Sequence, residues 1–479
     1  MRWTVERASP VAAASLPRLR PSGRAPTSRK IAAALDITCI PSMPSPCCSA
    51  KCIASWYTTV SPNDTLNDMP RRYIPSTSPF YIVMLGLLSM LPPLATDIGL
   101  PAIPALQASF GISIGEATRT LTVFLLGFSV GPILFGPLSD RYGRKPVLLF
   151  GLAMFSAAAI GCAYANQIAS LLLVRLIQGV AAGAAASLPA AIVRDVFSGH
   201  AALSRQSYVA LVNAVAPLVA PLFGAGLLQL GSWRVIYACL GVIGFVLLLL
   251  CLFGYKETRP QPATPAQNQQ NVFRSAIGAY AQVLKNKHYL VHAAMLAASF
   301  GTMFAYITGS SAVFIDMLGL SSAAYGGLFA LTAAGTMLGA FGVGRLARRW
   351  GTDRLLIGAV IGSAVVSSAL LIAATMGAHS VVLIAGCVLL TNVCAGIVMP
   401  NATHQALSSV GNVAGSASAL LRSMQMLGGA SAGALVGVMA GNQLAGMAAV
   451  MTLSAIVGLG VLFVRQLLVS RSANVGLSH

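Results

Sequence analysis

The stretch "GPLSDRYGRKPVLL", residues 136–149, decides how this chain is read. Two glycines, Gly136 and Gly143, bracket a carboxylate, Asp140, and the stretch also carries three cations, Arg141, Arg144 and Lys145. Glycine permits a tight helix–loop–helix turn. Asp140 can accept hydrogen bonds from a neighbouring helix end or pair with an arginine, and the cations suit one face of a membrane. An ordinary basic loop would account for the charges but for neither the glycines nor Asp140.

The rest of the chain puts that loop beside lipid. Of 479 residues, 56% are hydrophobic and 9% charged, with mean hydropathy +0.78, whereas a water-soluble domain carries about 25% charged residues. A soluble enzyme is thereby excluded. The formal charge of +19 reflects scarce acids, 11 against 30 Lys plus Arg. Such cations are sorted by membrane side rather than aimed at nucleic acid. The 47 glycines suit helices that pack closely in a bilayer. No metal or cofactor is expected: Cys47, Cys48 and Cys52 lack a zinc spacing with a following His, and no Gly-x-x-x-x-Gly-Lys-Ser/Thr loop for ATP occurs. His288, His292, His379 and His404 fall in different spans or loops, and no Ser/His/Asp or paired-carboxylate constellation can be assembled. The chain reads as a non-enzyme.

Apolar windows of roughly 20 residues, enough to cross a ~30 Å hydrocarbon core, recur at 79–101, 118–138, 147–166, 169–192, 207–229, 233–254, 289–310, 323–344, 354–376, 380–401, 415–438 and 443–466. Twelve transmembrane helices are expected, in an all-α integral membrane fold of two pseudo-symmetric six-helix bundles, 77–255 and 289–468. A cytoplasmic linker loop, 256–288, joins them, and 469–479 form a cytoplasmic tail. Residues 1–76, rich in Arg, Ser, Pro and Ala, are expected to be disordered. They read either as a targeting segment or as a frame that starts too early, with Met69 as the true start. Arg71, Arg72, Arg141, Arg144, Lys145, Arg194, Arg205, Lys256, Arg345, Arg349 and Arg465 fall in or beside alternate breaks. The positive-inside rule therefore puts both termini in the cytoplasm.

The two halves echo each other. "GRLARRWGTDRLL", residues 344–356, follows the eighth span as residues 136–149 follow the second. Matching loops at matching places indicate an internal repeat, the construction of secondary transporters with a site between the halves.

Two further stretches, and scattered residues beyond them, carry polar groups within apolar sequence. "LPPLATDIGLPAIP", residues 91–104, holds Asp97 near the end of the first span, where Pro101 suggests that the helix is ending. "LLLVRLIQGVAAGAAAS", residues 171–187, puts Arg175 inside the fourth, and an intramembrane charge faces a partner or a water-filled cavity. The first span runs outward and the fourth inward, so Asp97 and Arg175 lie at comparable depth, and an ion pair or a shared water network is expected between them. Phe304, Tyr306, Thr308, Asn392, Asn401 and Gln425, with Gln178, are candidate cavity residues because polar and aromatic groups punctuate otherwise apolar helices. Met424 and Met426 read as core filling.

The loop at 136–145 resembles the major facilitator superfamily signature Gly-x-Leu-x-Asp-Arg-x-Gly-Arg-Lys at every position, and Arg175, Gln178 and Gly179 resemble its fourth-helix motif Arg-x-x-Gln-Gly. That resemblance implies a conformational latch at Asp140, Arg141 and Arg144. "NAVAPLVAPLFGAGLL", residues 213–228, resembles the antiporter signature of the fifth helix only at Pro221 and Gly224, with Pro217 nearby and Ala216, Ala220 and Ala225 where glycines are usual. "FAYITGSSAVFI", "GIVMPNATHQAL" and "AGSASALLRSMQMLGGA" are similar to the bicyclomycin-resistance (Bcr/CflA) branch of proton-coupled drug exporters. Gly99, Ser311 and Arg422 depart from that branch. The resemblance implies export of small, largely apolar drugs or antibiotics against protons across a bacterial cytoplasmic membrane, by a monomer driven by the proton gradient, with Asp97 titrating and Arg175 modulating it. A proton-coupled carrier of a natural metabolite, a nucleoside or a sugar, is the alternative, and a non-transporting receptor the more distant one.

Overall fold

The computed structural model describes residues 73–258 and 272–476 apart from 77, 378, 411–413 and 440–441. The reading of residues 1–72, including the start at Met69, lies outside the described residues. Residues 73–76, expected to be disordered, are held instead: Ile74 N–H donates to the Gly254 carbonyl (2.8 Å), and Lys145 stands over the Tyr73 ring.

Helices account for nearly all of the described chain: α1 Pro79–Phe110, α2 Ile114–Tyr142, α3 Arg144–Ala163, α4 Ile168–Val196, α5 Gly199–Leu230, α6 Arg234–Gly254, α7 Val272–Lys285, α8 Lys287–Met317, α9 Ser322–Trp350, α10 Thr352–Thr375, α11 Val381–Ser408, α12 Ala414–Val438 and α13 Gln443–Gly476. Eleven of these are long and apolar enough to cross a membrane. The twelfth long helix, α12, is diluted by Arg422, Gln425 and its glycines and serines. Local chemistry fixes their starts. Ser78 and Asn286 cap α1 and α8, and Ser113 with Glu116 forms a reciprocal capping box at α2. Each of the twelve apolar windows coincides with one of these helices, most of which extend past it. The first departs from its expected end. Pro101 has no N–H to give the Asp97 carbonyl, so the regular helix stops at Asp97. It passes through a 3₁₀ turn, Leu100–Ala102, and resumes at Ile103 with Pro104 in the first turn, where proline is tolerated. The linker also departs from a loop: α7 lies within it and packs on α2 and α12.

The internal repeat appears as repeated packing. In the first half α1 packs on α5, α2 on α4, and α3 on α4 and α6. In the second, α8 packs on α12, α9 on α11, and α10 on α11 and α13. Small residues make the equivalent crossings. A methyl on Gly131 would stand 2.7 Å from the Gly183 Cα, and one on Gly339 3.0 Å from the Gly396 Cα. Gly127, Gly131, Gly136 and Gly143 recur 208 positions later as Gly335, Gly339, Gly344 and Gly351. Gly143 and Gly351 both hold positive φ, +101° and +79°, where a side chain is strained. Gly136, in contrast, lies inside α2 with open space around it rather than at the turn.

The halves meet along α2 with α12 and α5 with α9. On α12 the contact is a stripe of glycines four residues apart: Gly429 abuts Leu125, Gly433 abuts Thr122, and Gly437 abuts Gly115 and Thr118. These contacts lie towards the end of the molecule remote from the basic loops. There the 3₁₀ turn of α1 also touches α8 and α9, and Gly326 of α9 meets Leu222 of α5. At the basic end α2 and α12 diverge, and a cavity of ≈ 510 Å³ opens between Pro132–Asp140 of α2, Ala186–Asp195 of α4, α7 and Gly415–Arg422 of α12.

Candidate functional site

Between the halves, deeper than that vestibule, lies a chamber of ≈ 410 Å³, within the usual size of small-molecule pockets. Its wall is apolar and aromatic, with Phe128, Phe300, Met303, Phe304, Phe329 and Met426. Its polar groups include Thr96 and Asp97 from α1, Gln206 and Asn213 from α5, Tyr306 from α8, Asn392 from α11, and Arg422 and Gln425 from α12. Asp97 is the one carboxylate in this lining and Arg422 the one cation.

Asp97 owes its place to the proline-broken helix. Pro92 and Pro93 lie within α1 one turn before it, Thr96 Oγ1 donates to their carbonyls (3.0 Å each), and the regular ladder ends at Asp97 itself. The residue is only 4% exposed, and among the described residues it has no hydrogen-bond or ion-pair partner. It lies near enough to Tyr306 and Tyr325 of the other half to act on both electrostatically.

Arg175 does not form the expected ion pair. Its guanidinium donates to the Ala95 carbonyl (3.3 Å), the Thr120 carbonyl (3.3 Å) and Gln178 Oε1 (2.9 Å), and lies over the rings of Phe124 (4.4 Å) and Tyr237 (5.5 Å). Backbone carbonyls beside the break in α1 and on α2 outcompete the carboxylate two residues along. Arg175 thus fastens α4 to the helix that carries Asp97 without touching the acid. Of the other candidates, Phe304, Tyr306, Asn392 and Gln425 line the chamber, as does Pro217. Gln178 is packed behind it on Arg175. Asn401 turns back to the Ile397 carbonyl (2.7 Å), and Thr308 is buried at the contact with Gly433. Pro221 and Gly224 also stand outside the lining. Gly224 continues a stripe with Val212, Ala216 and Ala220 that faces α1, where Ile98 and Pro101 leave no room for a side chain. The lining residues Gln206 and Asn213, seven apart and so on one helical face, and Met426 were not read as cavity residues from sequence.

The basic loop is ordered by ion pairs inside the first half. Arg144 binds Asp140 (2.5 Å), Asp195 (2.8 Å) and Ser139 Oγ (2.6 Å). Glu257 accepts the backbone N–H groups of Arg144 and Lys145 (3.0 Å each), and Lys145 Nζ caps the carbonyls of Leu252 and Tyr255. Arg141 lies over the Tyr142 ring. In the second half Arg465 bonds Asp353 (2.7 Å), Gln405 and His292. In the wall of the vestibule Tyr280 of α7 donates to the Ile133 carbonyl (3.3 Å). Burial and the nearby Asp140 charge push its phenol up to about 12.

A largely apolar chamber with a few polar groups between two repeated six-helix bundles, closed at one end by small residues, is matched by the family comparison, in which the Major Facilitator Superfamily aligns with residues 85–433. The chain belongs to the major facilitator superfamily. It is a multi-pass membrane transporter, and its relatives include antibiotic-resistance proteins. An uncharacterized MFS-type transporter of Bacillus subtilis, YdgK, is 31% identical over 78% of this chain and 92% of that protein. A bicyclomycin resistance protein homolog of Haemophilus influenzae is 28% identical over 58% and 68%. Among solved structures, a D-xylose-proton symporter superimposes with TM-score 0.61 at 17% identity, over 79% of this chain and 96% of that one. At that identity the likeness speaks for the superfamily fold alone.

Proposed function

We propose that the protein exports small, largely apolar drugs or antibiotics across a bacterial cytoplasmic membrane in exchange for protons, by alternating access. The carrying observation is Asp97, a lone carboxylate that lines the deep chamber without a partner among the described residues. An intramembrane acid is costly, and its position in the chamber fits protonation linked to cargo binding. Arg175 acts as a positioning residue for α1. The loop Gly136–Lys145 acts as the latch, and the bilayer-embedded monomer needs no cofactor beyond the gradient. Both termini are cytoplasmic on this reading, so the basic end faces the cytoplasm and the conformation described is inward-facing. An inward proton supplies about 2.3 kcal/mol per 100 mV, before any pH gradient is added. The names of the resistance relatives favour drugs over nucleosides or sugars.

The test uses proteoliposomes with an imposed pH gradient and a pH-sensitive dye, challenged with phenicols, dyes, nucleosides and sugars. Compound-dependent dissipation by the wild type but not by Asp97→Asn is expected. Equal dissipation by both would make Asp97 structural, and a response to nucleosides or sugars alone would make the protein a metabolite carrier.

A further inference from the structure

The chamber holds a second intramembrane charge that the proton cycle does not use. Arg422 projects from α12, which has no acidic residue, and it lines both the deep chamber and the vestibule. It is exposed, and its surroundings are those two cavities. A guanidinium has five N–H donors. The one contact of Arg422 among the described residues is to Gln425 Oε1 (3.2 Å), one turn away on its own helix. Among the described residues no ion pair satisfies it. The vestibule does contain carboxylates, Asp140 and Asp195, but Arg144 holds both. The remaining lining carboxylate, Asp97, sits 18 residues into α1, about 27 Å at 1.5 Å per residue. Arg422 sits eight residues into α12 from the same end of the bundle, about 12 Å. The two charges therefore occupy opposite ends of one apolar chamber, with Phe128, Phe300 and Met426 among the residues between.

We infer that Arg422 is the recognition site for an anionic group of the cargo. The chamber selects small apolar molecules that carry a carboxylate, bound with that group toward the basic end. This rests on the chamber being the cargo site and goes beyond it by naming the cargo's charge. An unpaired guanidinium in a narrow, largely apolar space pairs with a carboxylate in planar, two-pronged geometry, the strongest hydrogen-bond arrangement open to it. It disfavours a cation, and it gives a neutral isostere only ordinary hydrogen bonds.

The experiment compares 1-naphthoate with its near-isosteric neutral amide, 1-naphthamide, binding to the full chain in nanodiscs at pH 7.5 by calorimetry. Wild type, Arg422→Gln and Arg422→Lys are measured. The expected result is that the wild type prefers the carboxylate about tenfold or more, the scale of one charge-assisted contact. Arg422→Gln is expected to bind both probes with equal affinity, and Arg422→Lys to keep part of the preference. Measurable binding of the amide reports that the variant is folded. Wild-type binding without preference, or a preference that survives in Arg422→Gln, overturns the inference and leaves the export reading standing. Failure of both probes to bind the wild type overturns the inference and the assignment of this chamber as an apolar cargo site together.

Discussion

Replacing Gly433 by valine should tip the two halves toward the opposite arrangement. Gly433 is the middle of the α12 stripe. A Cβ there would stand 2.9 Å from Thr122 Oγ1 on α2, 3.1 Å from Thr308 Oγ1 on α8 and 3.6 Å from the Phe304 ring. The first two distances are closer than side chains ordinarily pack, and among the described residues both buried hydroxyls lack a hydrogen-bond partner. Valine adds two further methyls, so α2 and α12 must separate at this end. Overpacking of this kind costs about 1–3 kcal/mol; the share against Thr122 falls on the contact between the halves, while the share against Thr308 and Phe304 lies within the second half and is borne in either arrangement. The equilibrium should therefore move away from the arrangement described by at most roughly 150-fold. Hydrogen–deuterium exchange of the purified chain reads this directly. Peptides covering 115–122 and 433–438 should exchange faster, and those covering 132–140 and 415–422 slower. Gly358→Val is the control, since nothing lies within 4 Å of a Cβ at Gly358. Exchange that changes equally at both ends, or equally in the control, would refute the claim that the glycine stripe is the closing surface.

Other perturbations separate local roles. Arg175→Leu leaves the Gln178 oxygen and the carbonyls of Ala95 and Thr120 without their donor. It should destabilise the solubilised protein by at least about 2 kcal/mol, seen as a lower melting temperature than for the exposed Arg119→Leu. Gly143→Ala and Gly351→Ala both place a side chain at positive φ, at a cost of about 1–2 kcal/mol. Gly143→Ala should melt lower, because its methyl also meets Glu257 Oε2 at 2.6 Å while Gly351 has open space. Tyr280 has a folded pKa raised to about 12, so it contributes stability that is full below the unfolded phenol value near 10 and lost as pH rises toward 12. A 295 nm titration of wild type minus Tyr280→Phe should show no ionisation below pH 10.

Much of the architecture was legible because the bilayer simplifies the code. Uninterrupted apolar windows mark spans wherever they occur, and the repeated loop at a fixed offset of 208 residues marks the halves. The parts that were not legible depend on direction rather than composition. In a helix that is apolar all round, nothing in the sequence says that Tyr306 and Gln425 face the chamber while Asn401 turns back onto its own backbone. Arg422 stood out as an odd residue, but its meaning depended on the direction of α12 and on Arg144 holding the vestibule carboxylates. The linker helix was missed because 272–285 carries its apolar residues on one face within a polar stretch. The α1 break was misread because Pro101 and Pro104, which do end a regular ladder, also sit well at a 3₁₀ turn and a new first turn.

The distribution of charge bears on how such a molecule can switch. At the basic end three ion pairs among the described residues close within one half: Arg144 with Asp140 and with Asp195 in the first, Arg465 with Asp353 in the second. Glu257 likewise ties the start of α3 to the chain leaving α6 within the first half. Rocking the halves as rigid bodies leaves these bonds intact. The surfaces that must part at the opposite end are glycines against backbone and small side chains, whose attraction is short-ranged dispersion without a charge to desolvate. Separating a buried ion pair would leave two uncompensated charges in a low-dielectric interior, a penalty of several kcal/mol. Sliding apart a stripe such as Gly429, Gly433 and Gly437 involves no such penalty. With these ion pairs inside each half and close packing between the halves at the far end, rocking the halves breaks none of the three.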